Sequence, residues 1–197
     1  MAPANIARAP RRTPLRPPPN SHKFHRFKAQ LTQLVFSDSR RVLDVGCGRR
    51  HYEAFAHAKD YVGLDVDGLL RPDVVASADW LPFRDECFDG VLMFDVLEHV
   101  RDAARALREC VRVMRRGGRL LLTTPNTLGF GIYDSFADPT HVHHFTWRSV
   151  NKLLKRAGLK DVTPMPLRIH SFWPLSLLKL KRFIPIQQSI CMVASKD

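Results

Sequence analysis

The sequence predicts an α/β protein built on a mostly parallel sheet. Three observations predict it. Short apolar runs alternate with helix-patterned segments along the chain. The first of these runs, VLDV, passes straight into a glycine turn, as strands of open α/β sheets do at their carboxyl ends. The segment between the fourth and fifth runs, RDAARALRECVRVMRRGG, carries a clear helical periodicity. The length of 197 residues, 45% of them hydrophobic and 25% charged, suits one soluble domain with a sizeable core.

The elements follow in order. Residues 1–20 hold Pro3, Pro10, Pro14 and Pro17 to Pro19 interleaved with arginines, a composition that denies the backbone a helix and offers little to bury. A disordered basic arm over 1–22 is expected, with the single folded domain over 23–197. The net charge is +12, and residues 1–37 hold seven Lys or Arg and no acid, so most of the basic excess belongs to that N-terminal stretch. An organellar transit peptide is disfavoured, because its amphipathic helix would not tolerate the prolines. From residue 24, Phe24, Phe27, Leu31, Leu34 and Val35 form a helical stripe.

Strands are expected at 41–46, 61–66, 73–78, 90–96 and 119–125. The helix before the last of these places Ala104, Leu107, Val111 and Met114 inward, with Arg115 and Arg116 at the negative end of its dipole and Gly117 as its stop. Thr146 is a plausible N-cap for a helix that turns Val150, Leu153, Leu154 and Ala157 inward and ends at Gly158. Two more strands are expected over 159–169 and 189–196, the first at a sheet edge because it holds Pro164 and Pro166.

No apolar run approaches the length of a membrane span, and no secretory signal is visible. Cys47, Cys87, Cys110 and Cys191 are scattered without a CxxC pair, so reduced thiols in a cytoplasmic setting are expected.

The chemistry begins at VLDVGCG (42–48). Gly46 and Gly48 let backbone N–H groups approach a ligand. The second run, YVGLDV, ends in Asp65, about 20 residues farther on, where a carboxylate can accept both hydroxyls of a ribose. Asp79, in SADWLPF, falls after the third run, where it can accept from an adenine amino group. Three acids at successive strand ends describe an adenosine site. They oppose a diphosphate, which wants donors and positive charge at the turn, and suit an amino or sulfonium group.

With these motifs the sequence resembles the class I S-adenosylmethionine-dependent methyltransferases, of the small-molecule type that includes quinone-biosynthesis enzymes. The resemblance covers about residues 40–165, through VLDVGCG, YVGLDVD, SADWLPFRDECFDGVLMFDVLEHV, the segment RRGGRLLLTTPN and HVHHFTWRSVNKLLKRAGL. It implies a Rossmann-like seven-stranded sheet of order 3-2-1-4-5-7-6 flanked by helices, its last strand antiparallel, and S-adenosyl-L-methionine as cofactor. It further implies that Asp44, Gly46 and Gly48 hold the methionine end. Asp65 would take the ribose, Val66 one adenine face, and Asp79 with the Trp80 backbone the adenine edge; Phe94 to Val96, Asp95 among them, would pass beneath the methionine portion. Arg50 departs from the family pattern, standing where a third glycine is usual; it could reach the methionine carboxylate or crowd the turn.

A hydroxyl or amine acceptor must lose a proton, and histidine is the side chain poised to take it. His141 is the leading candidate base, with His99 and His144 as further candidates. A metal site from His141, His143, His144, Asp134 and Asp138 is disfavoured, because the adjacent histidines would have to point together and no cysteine supports them; no metal is expected. Cys47 is rejected as a nucleophile, since methyl transfer needs no enzyme thiol. The place after the fourth strand reads FDVLEH and lacks the Asn/Asp-Pro-Pro-aromatic element used for nucleobase and amide nitrogens, which leaves oxygen or carbon acceptors ahead.

The function expected is methyl transfer to a small molecule, at oxygen. Arg101, Arg105, Arg108, Arg112 and Arg115 fall on one helix face and, with the basic arm, provide for weak contact with an anionic surface of RNA, acidic protein or lipid. They motivate the alternative of an RNA or protein methyltransferase, and Arg50 motivates that of a non-catalytic binding module. The apolar and basic segment 170–185 reads as a substrate lid, a membrane contact or a hairpin packing on its own domain.

Overall fold

A computed structural model of the chain describes residues 22–128, 132–165 and 189–197. Its elements are α1 (His22–Phe36), β1 (Arg41–Val45), α2 (Glu53–Ala56), β2 (Asp60–Asp65), β3 (Val74–Val75), β4 (Phe88–Phe94), α3 (Ala103–Val113), β5 (Met114–Pro125), α4 (Ile132–Ala137), α5 (Trp147–Arg156), β6 (Leu159–Pro164) and β7 (Ser189–Lys196). The strands form one sheet in the order β3-β2-β1-β4-β5-β7-β6. The pairings among β1 to β5 are parallel, and β7 runs antiparallel to both of its neighbours. This is the architecture and strand order that the sequence led one to expect.

Both faces of the central strands are covered, because their side chains alternate between two cores. Leu43, Val91, Met93, Leu120 and Leu122 face the side of α3 and α5, where Leu107, Cys110, Val150 and Leu154 meet them. Their neighbours Val42, Leu92 and Leu121 face the other side, under Leu31, Val35 and Phe36 of α1. Gly90 makes this second docking possible: a Cβ there would lie 2.4 Å from the Phe36 ring. On α1 the buried residues include Lys28, Leu31, Thr32 and Val35, whereas Leu34, expected inward, is 65% exposed.

The end of α3 corrects the sequence reading. The helix stops at Val113, and Met114, Arg115, Arg116 and Gly117 already belong to β5. Met114 is fully buried and pairs with Phe88, so its burial draws the chain into the sheet earlier than the helical pattern suggests. Gly117, with φ of 73°, sits where the β4–β5 register shifts, making room for a bulge rather than closing a helix. The other caps agree with expectation. The Thr146 hydroxyl accepts from the Ser149 N–H in a capping box, and Gly158 takes φ of 98° just beyond α5.

The arginine face is largely committed within the domain. Arg112 donates to the Phe83 and Leu81 carbonyls and pairs with Asp85 and Glu109, while Arg115 pairs with Asp89. The Arg105 guanidinium lies 4.8 Å from the centre of the Trp80 ring. The expected strand residues 166–169, the 170–185 segment and residues 1–21 of the basic arm lie outside the described residues. No described helix is long and apolar enough to cross a membrane. All four cysteines are free thiols.

Candidate active site

The carboxyl end of β1 shapes the first half of the site. Gly46 and Gly48 take φ of 70° and 50°, and the Gly46 and Cys47 N–H groups donate to the Leu64 carbonyl at 2.8 and 3.0 Å, tying the turn to β2. The two glycines are required for different reasons. A Cβ on Gly46 would lie 2.2 Å from the Val96 side chain, whereas one on Gly48 would meet nothing within 4 Å. Gly48 therefore borders open space, a cradle in which a ligand can approach the backbone.

Asp65, ending β2, accepts from the Gly48 N–H at 2.8 Å and the Asp67 N–H at 3.0 Å, so it braces the turn while standing beside the cradle. Asp44 lies beneath, only 2% exposed, and accepts from the Tyr61 hydroxyl. Burial pushes the Asp44 carboxyl up to about 7, against the opposing effects of Tyr61 and Arg50. Burial likewise pushes the Cys47 thiol far up, which keeps it inert as a nucleophile.

Arg50 turns back onto the domain. Its guanidinium contacts both Glu53 oxygens at 3.1 Å and Asp73 at 2.5 Å, and it lies 5.2 Å from the centre of the Tyr61 ring. Those bonds hold it beside the turn and leave the Gly48 cradle open.

Val66, just after β2, and Trp80, in the loop after β3, are each 68% exposed. The Asp79 carboxylate accepts from the Ser77 hydroxyl at 2.6 Å, and the Trp80 N–H donates to the Ser77 carbonyl at 3.0 Å. Phe94 closes β4, its ring edge-on to Tyr52 with centroids 4.8 Å apart. Asp95 takes φ of 52°, accepts from the Thr123 hydroxyl at 2.8 Å and pairs with the buried Lys28 ammonium.

The second half of the site is a cleft of about 570 Å³ where β4 and β5 end, lined among others by Asp95, Glu98, His99, Pro125, Asp138 and His141. The Glu98 backbone carbonyl accepts from the Val142 and His143 N–H groups at 2.9 and 3.2 Å, which clamps the loop beyond α4 onto the turn after β4. This brings His141 to His99, their ring centroids 4.7 Å apart. The Glu98 side chain is buried beside them. One of its oxygens accepts from the Thr124 hydroxyl at 2.9 Å, and burial pushes its carboxyl up to about 7.

The other histidines diverge. His143 Nε2 donates to the Arg101 carbonyl at 3.2 Å, and the His144 ring stacks on Phe136 with its Nδ1 3.1 Å from the Ser135 hydroxyl. His144, the third candidate base, thus faces α4. The set weighed from sequence, with His143 and His144 converging, does not form; nothing is described of the Asp134 side chain.

Sequence reasoning missed Glu98, Lys28 and Tyr61. Lys28 had a visible signal, since it lies on the apolar stripe of α1, four residues after Phe24 and three before Leu31. Glu98 adjoins His99, but its burial is set by the loop folded over it.

A methyltransferase domain model matches residues 20–163. A probable S-adenosylmethionine-dependent methyltransferase of Mycobacterium tuberculosis is 33% identical over 137 residues, 63% of this chain and 50% of that protein. A demethylmenaquinone methyltransferase of Mycolicibacterium paratuberculosis is 34% identical over 123 residues, 55% of this chain and 54% of that protein. The chain thus spans about half the length of the curated relatives it matches. A solved S-adenosylmethionine-dependent methyltransferase from Archaeoglobus fulgidus superposes with a TM-score of 0.66 at 22% identity, covering 87% of this chain and 94% of that one.

Proposed function

The chain belongs to the methyltransferase domain family, and from that premise we propose that it transfers the methyl group of S-adenosylmethionine to a hydroxyl of a small molecule. The carrying observation is the cleft at the ends of β4 and β5, whose lining, among the described residues, is acidic and imidazole-bearing and includes no Lys or Arg. An RNA would want cations along its path to the methyl group. Two of the arginines of the α3 stripe, Arg112 and Arg115, are moreover paired elsewhere.

The cofactor fits the residues present. Bound, it supplies an electrophilic methyl on a sulfonium. The open Gly48 backbone admits it, Asp65 accepts its ribose hydroxyls, Val66 offers apolar surface to one adenine face, and Asp79 stands for the adenine edge. Asp44 suits its ammonium, the charge preference that separates this site from a diphosphate site.

The chain's own work is alignment and proton removal. Holding the acceptor oxygen in line with the methyl and keeping water away supplies much of the rate. The oxygen–carbon bond forms as the carbon–sulfur bond breaks, and the acceptor proton must leave. Glu98, His99 and His141 line the acceptor cleft, where they assist that departure.

Calorimetric titration with S-adenosylmethionine and S-adenosylhomocysteine tests the first half, with Asp65→Ala as control. Binding by the wild type, lost in the variant, is expected. Transfer of labelled methyl to phenols, sugars or lipid alcohols tests the second. A folded wild type that binds neither compound would refute the enzyme reading and favour a binding module.

A further inference from the structure

Glu98, His99 and His141 converge in a way that a general base alone does not require. One ligand atom from each lies within 4.8 Å of the others, a carboxylate and two imidazoles gathered at one wall of the cleft. Glu98 is 1% exposed, and its Oε1 is buried without a hydrogen-bond partner while Oε2 is held by Thr124. A buried carboxylate oxygen without a partner is costly unless something cationic meets it.

The imidazoles are oriented by the groups behind them. His141 Nδ1 lies 2.9 Å from the Ser135 carbonyl, an acceptor only, so Nδ1 carries the proton and Nε2 keeps its lone pair. The Thr140 hydroxyl donates to Asp138 at 2.6 Å and therefore accepts from His99 Nδ1 at 3.0 Å, which leaves the His99 Nε2 lone pair available as well. Imidazoles that donate Nδ1–H to a carbonyl or to a hydroxyl-carboxylate relay are arranged as metal ligands usually are.

We propose that Glu98, His99 and His141 bind one divalent first-row transition metal ion at the wall of the acceptor cleft. Two nitrogens and one carboxylate oxygen suit zinc, iron or manganese better than calcium or magnesium, which take oxygen ligands. Three protein ligands leave open positions toward the cleft. This deepens the methyltransferase reading and rests on it for one point only, the ion's task. The acceptor hydroxyl occupies an open position and loses its proton to solvent more readily. Its oxygen then takes the methyl as the carbon–sulfur bond breaks, giving a methyl ether and S-adenosylhomocysteine.

The full chain, stripped with a chelator, is titrated with Co(II) and with Zn(II), reading the cobalt visible spectrum and the heat of binding; S-adenosylmethionine binding is measured separately on the same samples. One equivalent of cobalt with nitrogen-ligand absorption bands is expected. Glu98→Gln and His141→Ala should each weaken it about 100-fold or more, and His99→Gln, at an exposed position, serves if either fails to fold. Thr140→Val, which keeps all three ligands but removes the hydroxyl behind His99, should weaken it about 10-fold. No stoichiometric binding, or binding unchanged in the folded variants, overturns the metal site. If S-adenosylmethionine still binds in that case, the methyltransferase reading stands without the metal.

Discussion

Replacing Asp44 by Asn isolates a charge buried beneath the glycine turn. In the folded chain the Asp44 carboxyl is raised from 3.8 to about 7, first by burial. A raised folded value means that the native state holds the proton more tightly than the unfolded chain does. Its stability is therefore undiminished below about pH 4, falls as the unfolded carboxyl ionises first, and levels off above about pH 7. The full separation corresponds to about 4 kcal/mol, of which about 2.5 kcal/mol is lost between roughly pH 5 and pH 8. Asp44→Asn cannot ionise and still accepts from the Tyr61 hydroxyl, so it should lack this component of the pH dependence. Urea unfolding of both proteins across that range, without cofactor, measures the difference of their slopes. The wild type should lose about 2.5 kcal/mol relative to Asp44→Asn on going from about pH 5 to pH 8. Parallel pH profiles would refute the reasoning, showing that Asp44 is solvated or already compensated. Saturating S-adenosylmethionine should flatten the wild-type profile if its ammonium approaches Asp44.

Two other substitutions test local geometry. Arg112→Ala removes bonds to the Phe83 and Leu81 carbonyls and to Asp85 and Glu109, and should cost about 2 kcal/mol in chemical denaturation; Arg108→Ala, exposed on the same helix, should change stability by less than about 0.5 kcal/mol. Gly46→Ala drives a Cβ into Val96 at a positive φ and should lower the melting temperature and abolish cofactor binding, with partial recovery in Gly46→Ala/Val96→Ala because the obstructing atoms are that side chain.

The legible parts of the site were those whose chemistry is written in consecutive residues. Gly46 and Gly48 follow a strand, and a turn needing positive φ there is visible in the residue types alone. Asp65 and Asp79 follow later runs, so parallel strands carry them to the same sheet edge once the sheet exists. Arg115 and Arg116 were misread because a helical pattern continued past the point where Met114 is buried against the sheet. Arg105, Arg112 and Arg115 read as a face open to an anionic surface because spacing reports a face but not what the next loop lays upon it. The partners of Arg112 come from residues 81–85 and from its own helix.

By itself the sequence determined the succession of the seven strands with α1, α3 and α5, the glycine turn and the acids beside it. Each follows from short-range periodicity, backbone freedom or residue spacing, which act within a turn or a strand. Only the tertiary structure decided that Lys28 meets Asp95 and that Glu98 and His99, after β4, meet His141 from the loop beyond β5. Those meetings depend on which strands are neighbours and on a loop pinned by the Glu98 carbonyl. Burial then turns an ordinary carboxylate into one whose oxygen needs a partner, a property that residue type and spacing do not contain.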